Sequence, residues 1–418
     1  MASFATRNEM MWNKMDDECI NSIPATWISS SPLPVYCAPC INQFIPLLQW
    51  WRYWNPLVFR TVMRSYPIIA SALSLAAAPV WATPNHHPKT SIDYTVVTGV
   101  FQQDDPATDP STFNFTASNF GLINRDYPSD SSCPDKTKAT QWQKLNHYIK
   151  TLNHDPKTKK NNERYALLFL GRHGEGYHNA AESYFGTPAW NCYWAEREGN
   201  GTVTWADAHL TSAGVTQTDV VNRFWNTLLT AEKIEAPESY YTSPLYRCLD
   251  TAKLTFANLP LPRKNPFVPT VKEFFREGIT AHTCNRRSSK TFIASQFPTY
   301  RFEKGFAEED PLWTDMFGEV REEQDRRSKI VLDDVFSTDK NTYISVTSHS
   351  GEIASLLRVL GHREFRLSTG AAIPVLVKVT TLKGEDPPTA TIPYVPTQTC
   401  AAPPTITDSS CNDCSCCL

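Results

Sequence analysis

The sequence predicts an α/β fold, a three-layer α/β/α sandwich around a mostly parallel sheet. Between about residues 90 and 383, short β-branched or aromatic runs alternate with segments of helical periodicity. Several runs are too apolar to be half-exposed, as expected of strands buried on both faces. The turns that follow the runs carry Gly, Ser, Arg and His. In such sheets ligands bind at the carboxyl ends of the strands.

Each element follows from local residues. Tyr165 to Leu170 is a near-continuous apolar run ending at Gly171, a buried strand. Asp219 to Lys233 carries Val220, Val221, Phe224, Trp225, Leu228 and Leu229 at helical spacing. Ser239 to Thr242 is a second strand, and Ser243-Pro244 reads as a helix start with Ser as N-cap. Val268 to Phe275 is a third strand. Thr342 to Thr347 is a fourth, followed by a helix from Gly351 to Leu360 that stops at Gly361. Ala371 to Thr380 is a fifth. No internal repeat or linker interrupts this span.

Composition sets the outer bounds. The chain has 418 residues, of which 41% are hydrophobic and 20% charged, with a formal net charge of −3. That excludes a disordered chain, a collagen-like chain and a polytopic membrane protein, and gives no basic signature for a nucleic-acid partner. The 12 Cys and 31 Pro are unevenly spread. Cys19, Cys37 and Cys40 lie near the start; Cys133, Cys192, Cys248 and Cys284 are single and interior; Cys400, Cys411, Cys414, Cys416 and Cys417 crowd the tail.

The flanks read differently from the middle. Met63-Arg64, an apolar stretch from Ile68 to Val80, and Val80-Trp81-Ala82 form a signal-peptide pattern over 63–82. The apolar stretch is shorter than the ~20 residues of a spanning helix. If translation starts at Met63 the protein enters the secretory pathway, and residues 1–62 are a doubtful extension. If all are translated, the segment is membrane-associated or a plain hydrophobic helix, and the protein is cytoplasmic or membrane-bound. Residues 44–82 provide the sequence's one membrane-contact candidate, aided by Trp50, Trp51, Tyr53 and Trp54. Sequons at Asn114 and Asn200 accord with secretion and N-glycosylation. The Pro/Thr/Cys-rich segment 384–418 is expected to be a disordered tail with incidental thiols.

Four strand ends concentrate the chemistry. Gly171-Arg172-His173-Gly174-Glu175 follows the first strand; Arg247 lies one turn into the helix after the second; Glu277 lies just past the third; His349 follows the fourth. Two guanidinium groups and two imidazoles around one point suit a dianionic phosphate. An adjacent carboxylate supplies a proton donor, completing the parts for phosphoryl transfer through an imidazole nucleophile. The flanking arginine charges are expected to lower the pKa of His173, which must be neutral to attack phosphorus.

These motifs resemble the histidine phosphatase superfamily. The Arg172-His173-Gly174-Glu175…Asn179 run, Leu210-Thr211-Ser-Ala-Gly214…Gln217, Ser243-Pro-Leu-x-Arg247 and Ser348-His349-Ser-Gly351 match its first, phosphoglycerate-mutase-like branch, including fungal members. The second branch, with acid phosphatases and phytases, has a His-Asp pair where this chain has His349-Ser350. The resemblance covers about 92–380. It implies the phosphoglycerate-mutase-like fold and no metal or other cofactor. It implies that His173 is the nucleophile, that Arg172, Arg247 and His349 bind the transferring group, and that Glu277 is the general acid and then base. Asn179 also touches phosphate in that reading.

Other residues have two readings. Glu175 and Asn179 either contact substrate or cap the following helix. Arg286, beside Arg287, either reads a second substrate anion or is solvated. His178 neighbours the site without an assigned role. Cys248 and Cys284 either pair or stay as buried thiols; four interior Cys allow three connectivities. The aromatic stretch 184–205 either roofs the site or simply packs. The leading function is hydrolysis of a small phosphomonoester. The alternatives are a mutase with the same chemistry and a non-catalytic phospholigand-binding protein.

Overall fold

Why the strand ends meet is visible in the hydrogen-bond register of a computed structural model, which describes residues 90–135, 137–383, 394–404 and 414. The segments 1–62 and 63–82 lie outside the described residues. The strands are β1 (Thr90–Val96), β2 (Glu163–Arg172), β3 (Ser239–Thr242), β4 (Thr270–Val271), β5 (Arg301–Phe302), β6 (Phe317–Gly318), β7 (Tyr343–Ser348), β8 (Ala372–Lys383) and β9 (Val395–Pro396). The α-helices are α1 (Gln141–His154), α2 (Pro156–Lys160), α3 (Tyr177–Phe185), α4 (Thr187–Cys192), α5 (Ser212–Thr227), α6 (Tyr246–Phe256), α7 (Lys290–Gln296), α8 (Arg321–Thr338) and α9 (Ser350–Leu360).

Seven strands form the main sheet in the order β1-β8-β2-β7-β3-β4-β5. Antiparallel β8 is inserted between β1 and β2, while β2, β7, β3, β4 and β5 pair in parallel. The α/β class and mostly parallel sheet are therefore as the sequence predicts. Alternate residues of β2 serve opposite faces. Ala166, Leu168 and Leu170 pack with Val331, Leu332, Val335 and Phe336 of α8 and Ile353, Leu356 and Leu357 of α9. Leu167 and Phe169 pack with Trp142 and Leu145 of α1 and Val221 and Trp225 of α5. Helices thus cover both faces, as a sheet buried on both sides requires.

Local chemistry fixes the helix ends. Thr140 accepts from Gln143 N at 3.2 Å while Gln143 returns the bond to Thr140 N at 3.0 Å, a capping box for α1. Thr211 Oγ1 accepts from Gly214 N at 3.1 Å to start α5. Gly361, at φ +78°, closes α9 in the left-handed conformation.

Two expected elements change. The third strand shortens to Thr270–Val271 and becomes a 3-10 turn over Glu273–Phe275. Pro269 has no N–H for the ladder, and the side chains of Lys272 and Glu273 are drawn into buried ion pairs with Glu303, Arg276 and Arg287. The helix expected from Ser243 begins at Tyr246, with Leu245 in extended conformation as its N-cap; Ser243 Oγ accepts from Leu245 N at 3.2 Å and also meets His349 Nε2.

The tail also departs from expectation. β9 pairs with β6, Thr397 N donates to Met316 O at 2.8 Å, and Cys400 N donates to Cys192 O at 2.8 Å. Cys192 forms a disulfide with Cys414. Pro396 is tolerated because it sits on a two-residue edge strand whose next N–H comes from Thr397. Cys248 and Cys284 do not pair: with Cys133 they are free and buried. No helix among the described residues is long and apolar enough to cross a membrane.

Closing a loop of this length restricts the unfolded chain, so the Cys192→Ser/Cys414→Ser double variant should lose about 2–4 kcal/mol of unfolding free energy. Urea titration with and without reductant checks this. Equal midpoints for variant and oxidised wild type would refute it.

Candidate active site

Parallel pairing brings three strand ends level. His173 N donates to Ser348 O and Ser243 N donates to Thr347 O, each at 3.0 Å, so β2, β7 and β3 release their chains at one edge. His173, His349 and Ser243 emerge there together. Lys272 N bonds to Thr242 O at 3.0 Å and brings the Glu277 segment alongside.

His173 is 1% exposed, and its Nδ1 lies 2.7 Å from Gly174 O. A carbonyl only accepts, so Nδ1 carries the proton and the lone pair of the neutral ring is on Nε2. Gly174 N donates to Thr251 Oγ1 of α6 at 3.0 Å, fixing the turn. A Cβ at Gly174 would lie 2.6 Å from Gly214 O, so the turn approaches the start of α5 as only glycine can.

The His349 ring centroid lies 5.0 Å from that of His173. His349 Nε2 meets Ser243 Oγ at 2.7 Å and Cys248 Sγ at 3.3 Å. Arg247 is 1% exposed; Nη1 donates to Cys284 O at 2.6 Å and Nη2 to Asn285 Oδ1 at 3.2 Å. Arg172 Nη1 donates to Leu367 O at 2.7 Å. The Nε of each arginine is buried without a hydrogen-bond partner among the described residues. Burial first, then the charges of Arg247 and Arg172, push His173 well below the usual histidine pKa. His349 is pushed down by the same burial and by Arg247. The sequence reasoning anticipated the direction for His173 but not that burial is the larger cause.

Glu277 sits against the N-terminus of α9. Its Oε1 accepts from Gly278 N at 3.0 Å and Glu352 N at 3.1 Å, and its Oε2 from Gly351 N at 3.3 Å. His349, the N-cap residue, has no side-chain cap bond, and the carboxylate takes over that task. Burial lowers the pKa of Arg172, and the Glu277 charge opposes that shift in part.

The other candidates are placed elsewhere. Glu175 Oε1 accepts from Thr211 Oγ1 at 2.7 Å, and Glu175 N donates to Gln217 Oε1 at 2.8 Å, fastening the turn to α5. Asn179 Oδ1 accepts from Gly176 N at 3.1 Å and caps α3. Arg286 forms an exposed pair with Glu198 at 2.8 Å and covers the Trp313 ring. Of the two readings each of these residues had, the observed contacts are the scaffold ones: hydrogen bonds hold Glu175 and Asn179, and an ion pair holds Arg286. Arg287 is interior, bound to Glu273.

The histidine phosphatase superfamily (branch 1) family matches residues 168–383. A probable phosphoglycerate mutase of Arthroderma benhamiae is 49% identical over 290 residues, covering 69% of this chain and 85% of that protein. The chain belongs to branch 1 of the histidine phosphatase superfamily. A phosphomutase-like protein of Candida albicans is 40% identical, covering 51% of this chain and 65% of its own. A probable phosphoglycerate mutase of Saccharomyces cerevisiae is 32% identical, covering 60% and 92%.

In this histidine phosphatase, sequence reasoning missed the support behind Glu277. Arg327 of α8 donates to Phe274 O at 2.7 Å and Arg276 O at 3.1 Å, holding the backbone that carries Glu277. Glu319 pairs with Arg327 at 2.6 Å, and the Glu352 carboxyl lies 3.2 Å from it. Burial pushes the Glu352 carboxyl up to about 8 against the pull of Arg327. The stretch Arg321 to Lys329 has the composition of a solvated helix face; the apolar residues Val331, Leu332 and Val335 that follow were the available signal that α8 is buried on one side. The aromatic stretch 184–205 packs on itself, with Phe185 stacked on Trp194 at 4.3 Å and Trp205 buried. It reaches the site through Thr283 Oγ1, which donates to Arg197 O at 2.6 Å, one residue before the carbonyl that holds Arg247.

A Cβ at Gly351 would overlap Glu277 Oε1 while its helical backbone tolerates alanine. The flexible carboxylate can move; the helix need not. Gly351→Ala should therefore lower kcat about 10- to 100-fold with little change in melting temperature. Paired kinetics and calorimetry check this, and unchanged kcat would separate Glu277's placement from turnover.

Proposed function

We propose that this protein is a phosphomonoesterase working through a phosphohistidine on His173. The observation that carries the reading is the His173 tautomer: Nδ1 bonded to Gly174 O at 2.7 Å leaves the lone pair on Nε2, in a site with Arg172 and Arg247, whose buried Nε–H groups have no partner among the described residues. In the proposed first step Nε2 attacks phosphorus and the ester P–O bond breaks. Glu277, protonated, gives its proton to the departing oxygen. Arg172, Arg247 and His349 hold the non-bridging oxygens, whose charge spreads in the transition state. In the second step water attacks the phosphohistidine, Glu277 takes its proton, and the N–P bond breaks to release inorganic phosphate and restore neutral His173.

The relatives' names support a second reading, isomerisation of phosphoglycerate, in which the phosphoryl group returns to a second hydroxyl instead of passing to water. The Cys192–Cys414 disulfide supports an oxidising compartment, away from glycolysis, and so favours hydrolysis. Release of phosphate from an aryl phosphate, measured against isomerisation of 3-phosphoglycerate, separates the two. Dominant isomerisation would overturn the hydrolase reading.

His173→Ala should cut turnover about a thousandfold or more and abolish an acid-labile phosphoenzyme trapped by quench from labelled substrate. Survival of either would remove the nucleophile assignment. The pH profile gives a separate check. His173 acts neutral, and its environment disfavours the proton, so acid inactivation through it begins below the ordinary histidine value of about 6.5. After correction for the substrate's own second ionisation, kcat/KM should stay flat down to that pH. A protonation loss centred there or higher would contradict the depressed pKa.

A further inference from the structure

We propose that His178 is a substrate-contacting residue, its imidazole hydrogen-bonding an oxygen of the phosphomonoester bound at His173. This rests on the phosphoryl-transfer reading above and extends it to a residue with no place in that mechanism.

His178 lies in the first turn of α3, immediately after the nucleophile turn. Its ring centroid is 5.3 Å from that of His173, nearly as close as the His349 ring at 5.0 Å. Nδ1 is buried and unpartnered among the described residues. Buried polar atoms nearly always find partners, and the exceptions concentrate where a ligand completes the set. Of the thirteen such atoms among the described residues, three belong to groups around His173: Arg172 Nε, Arg247 Nε and His178 Nδ1. The electrostatics agree, since burial and then Arg247, His173 and Arg172 hold His178 well below the usual histidine pKa. A neutral imidazole offers one donor and one acceptor, enough to bind an ester oxygen without adding charge.

The backbone makes room for this ring. A Cβ at Gly176 would lie 2.7 Å from His178 Nδ1, although φ at Gly176 is −102°, a value alanine adopts freely. The missing side chain at 176 therefore serves the imidazole's position and not an unusual backbone angle.

The test uses the full chain with His178→Phe, His178→Gln and Gly176→Ala, an aryl phosphate as substrate and orthovanadate as inhibitor. His178→Phe should raise KM and the vanadate inhibition constant about tenfold, the worth of one lost hydrogen bond. Its melting temperature should hold or rise, because an unpartnered buried polar atom is removed. His178→Gln, which keeps a donor and an acceptor, should recover part of the loss, and Gly176→Ala should reproduce it by displacing the ring. A structural role predicts the opposite pattern, a lowered melting temperature with unchanged KM, and would overturn the proposal. Unchanged KM and vanadate inhibition in a fully active, stable His178→Phe would also overturn it. If the wild type neither hydrolyses the aryl phosphate nor binds vanadate, the phosphoryl-transfer reading itself has failed, and the proposal with it.

Discussion

A guanidinium taken out of water costs several kcal/mol unless counter-charge or acceptors replace its hydration. Arg247 is almost wholly buried, yet it faces a carbonyl and an amide oxygen instead of a carboxylate. Arg172 rests on a single carbonyl. Their positive charge is left for something else to use. It disfavours protonation of His173 and His349, and it makes the strand edge a site for an anion. The contrast of Arg247 with Arg276 and Arg327 is instructive: the latter are as deeply buried, but carboxylates of Asp310, Glu273 and Glu319 face them. Partner choice, not burial, separates Arg247 from these two.

Glu277 is held by a different device. Its carboxylate accepts from open N–H groups of α9, so the helix that follows His349 also fixes the position of Glu277. One helix thus places two functional groups, and Gly351 is the residue without which they could not approach. Behind them, Arg327 ties α8 to the Glu277 backbone, coupling a long amphipathic helix to the site. The tail disulfide acts on the other side, at α4, whose surrounding aromatic cluster borders the segment that holds Arg247.

How much was legible in the sequence depended on whether the signal was local. Tyr165 to Leu170 announced β2 by its unbroken apolar run, and Gly361 announced the end of α9. The Arg-His-Gly turn, Arg247, Glu277 and His349 were legible because each follows a strand, and parallel strands bring such ends together. Glu175, Asn179 and Arg286 are engaged by their own scaffold for one reason. A polar side chain near a site in sequence has nearby backbone and side-chain partners competing for it, and Thr211, Gly176 and Glu198 won. Residues 394–404 and Cys414 are placed by non-local contacts that composition does not show: proline content opposes regular structure, but a two-residue edge pairing and a disulfide need little of it.

By itself the sequence determined the α/β class, the order of strands and helices, the family motifs and the residues at four strand ends. These depend on periodicity and on turn chemistry, which act over a few residues. Only the tertiary structure decided which acceptors face each buried arginine, which imidazole nitrogen of His173 keeps its lone pair, that Glu277 caps α9, and that His178 stands beside His173 with its Nδ1 unpartnered among the described residues. Some of those contacts join residues tens of positions apart, as Glu277 with α9, and some join neighbours, as His173 with Gly174; in both cases burial and competition for hydrogen bonds in the folded chain, not local propensity, choose the partner.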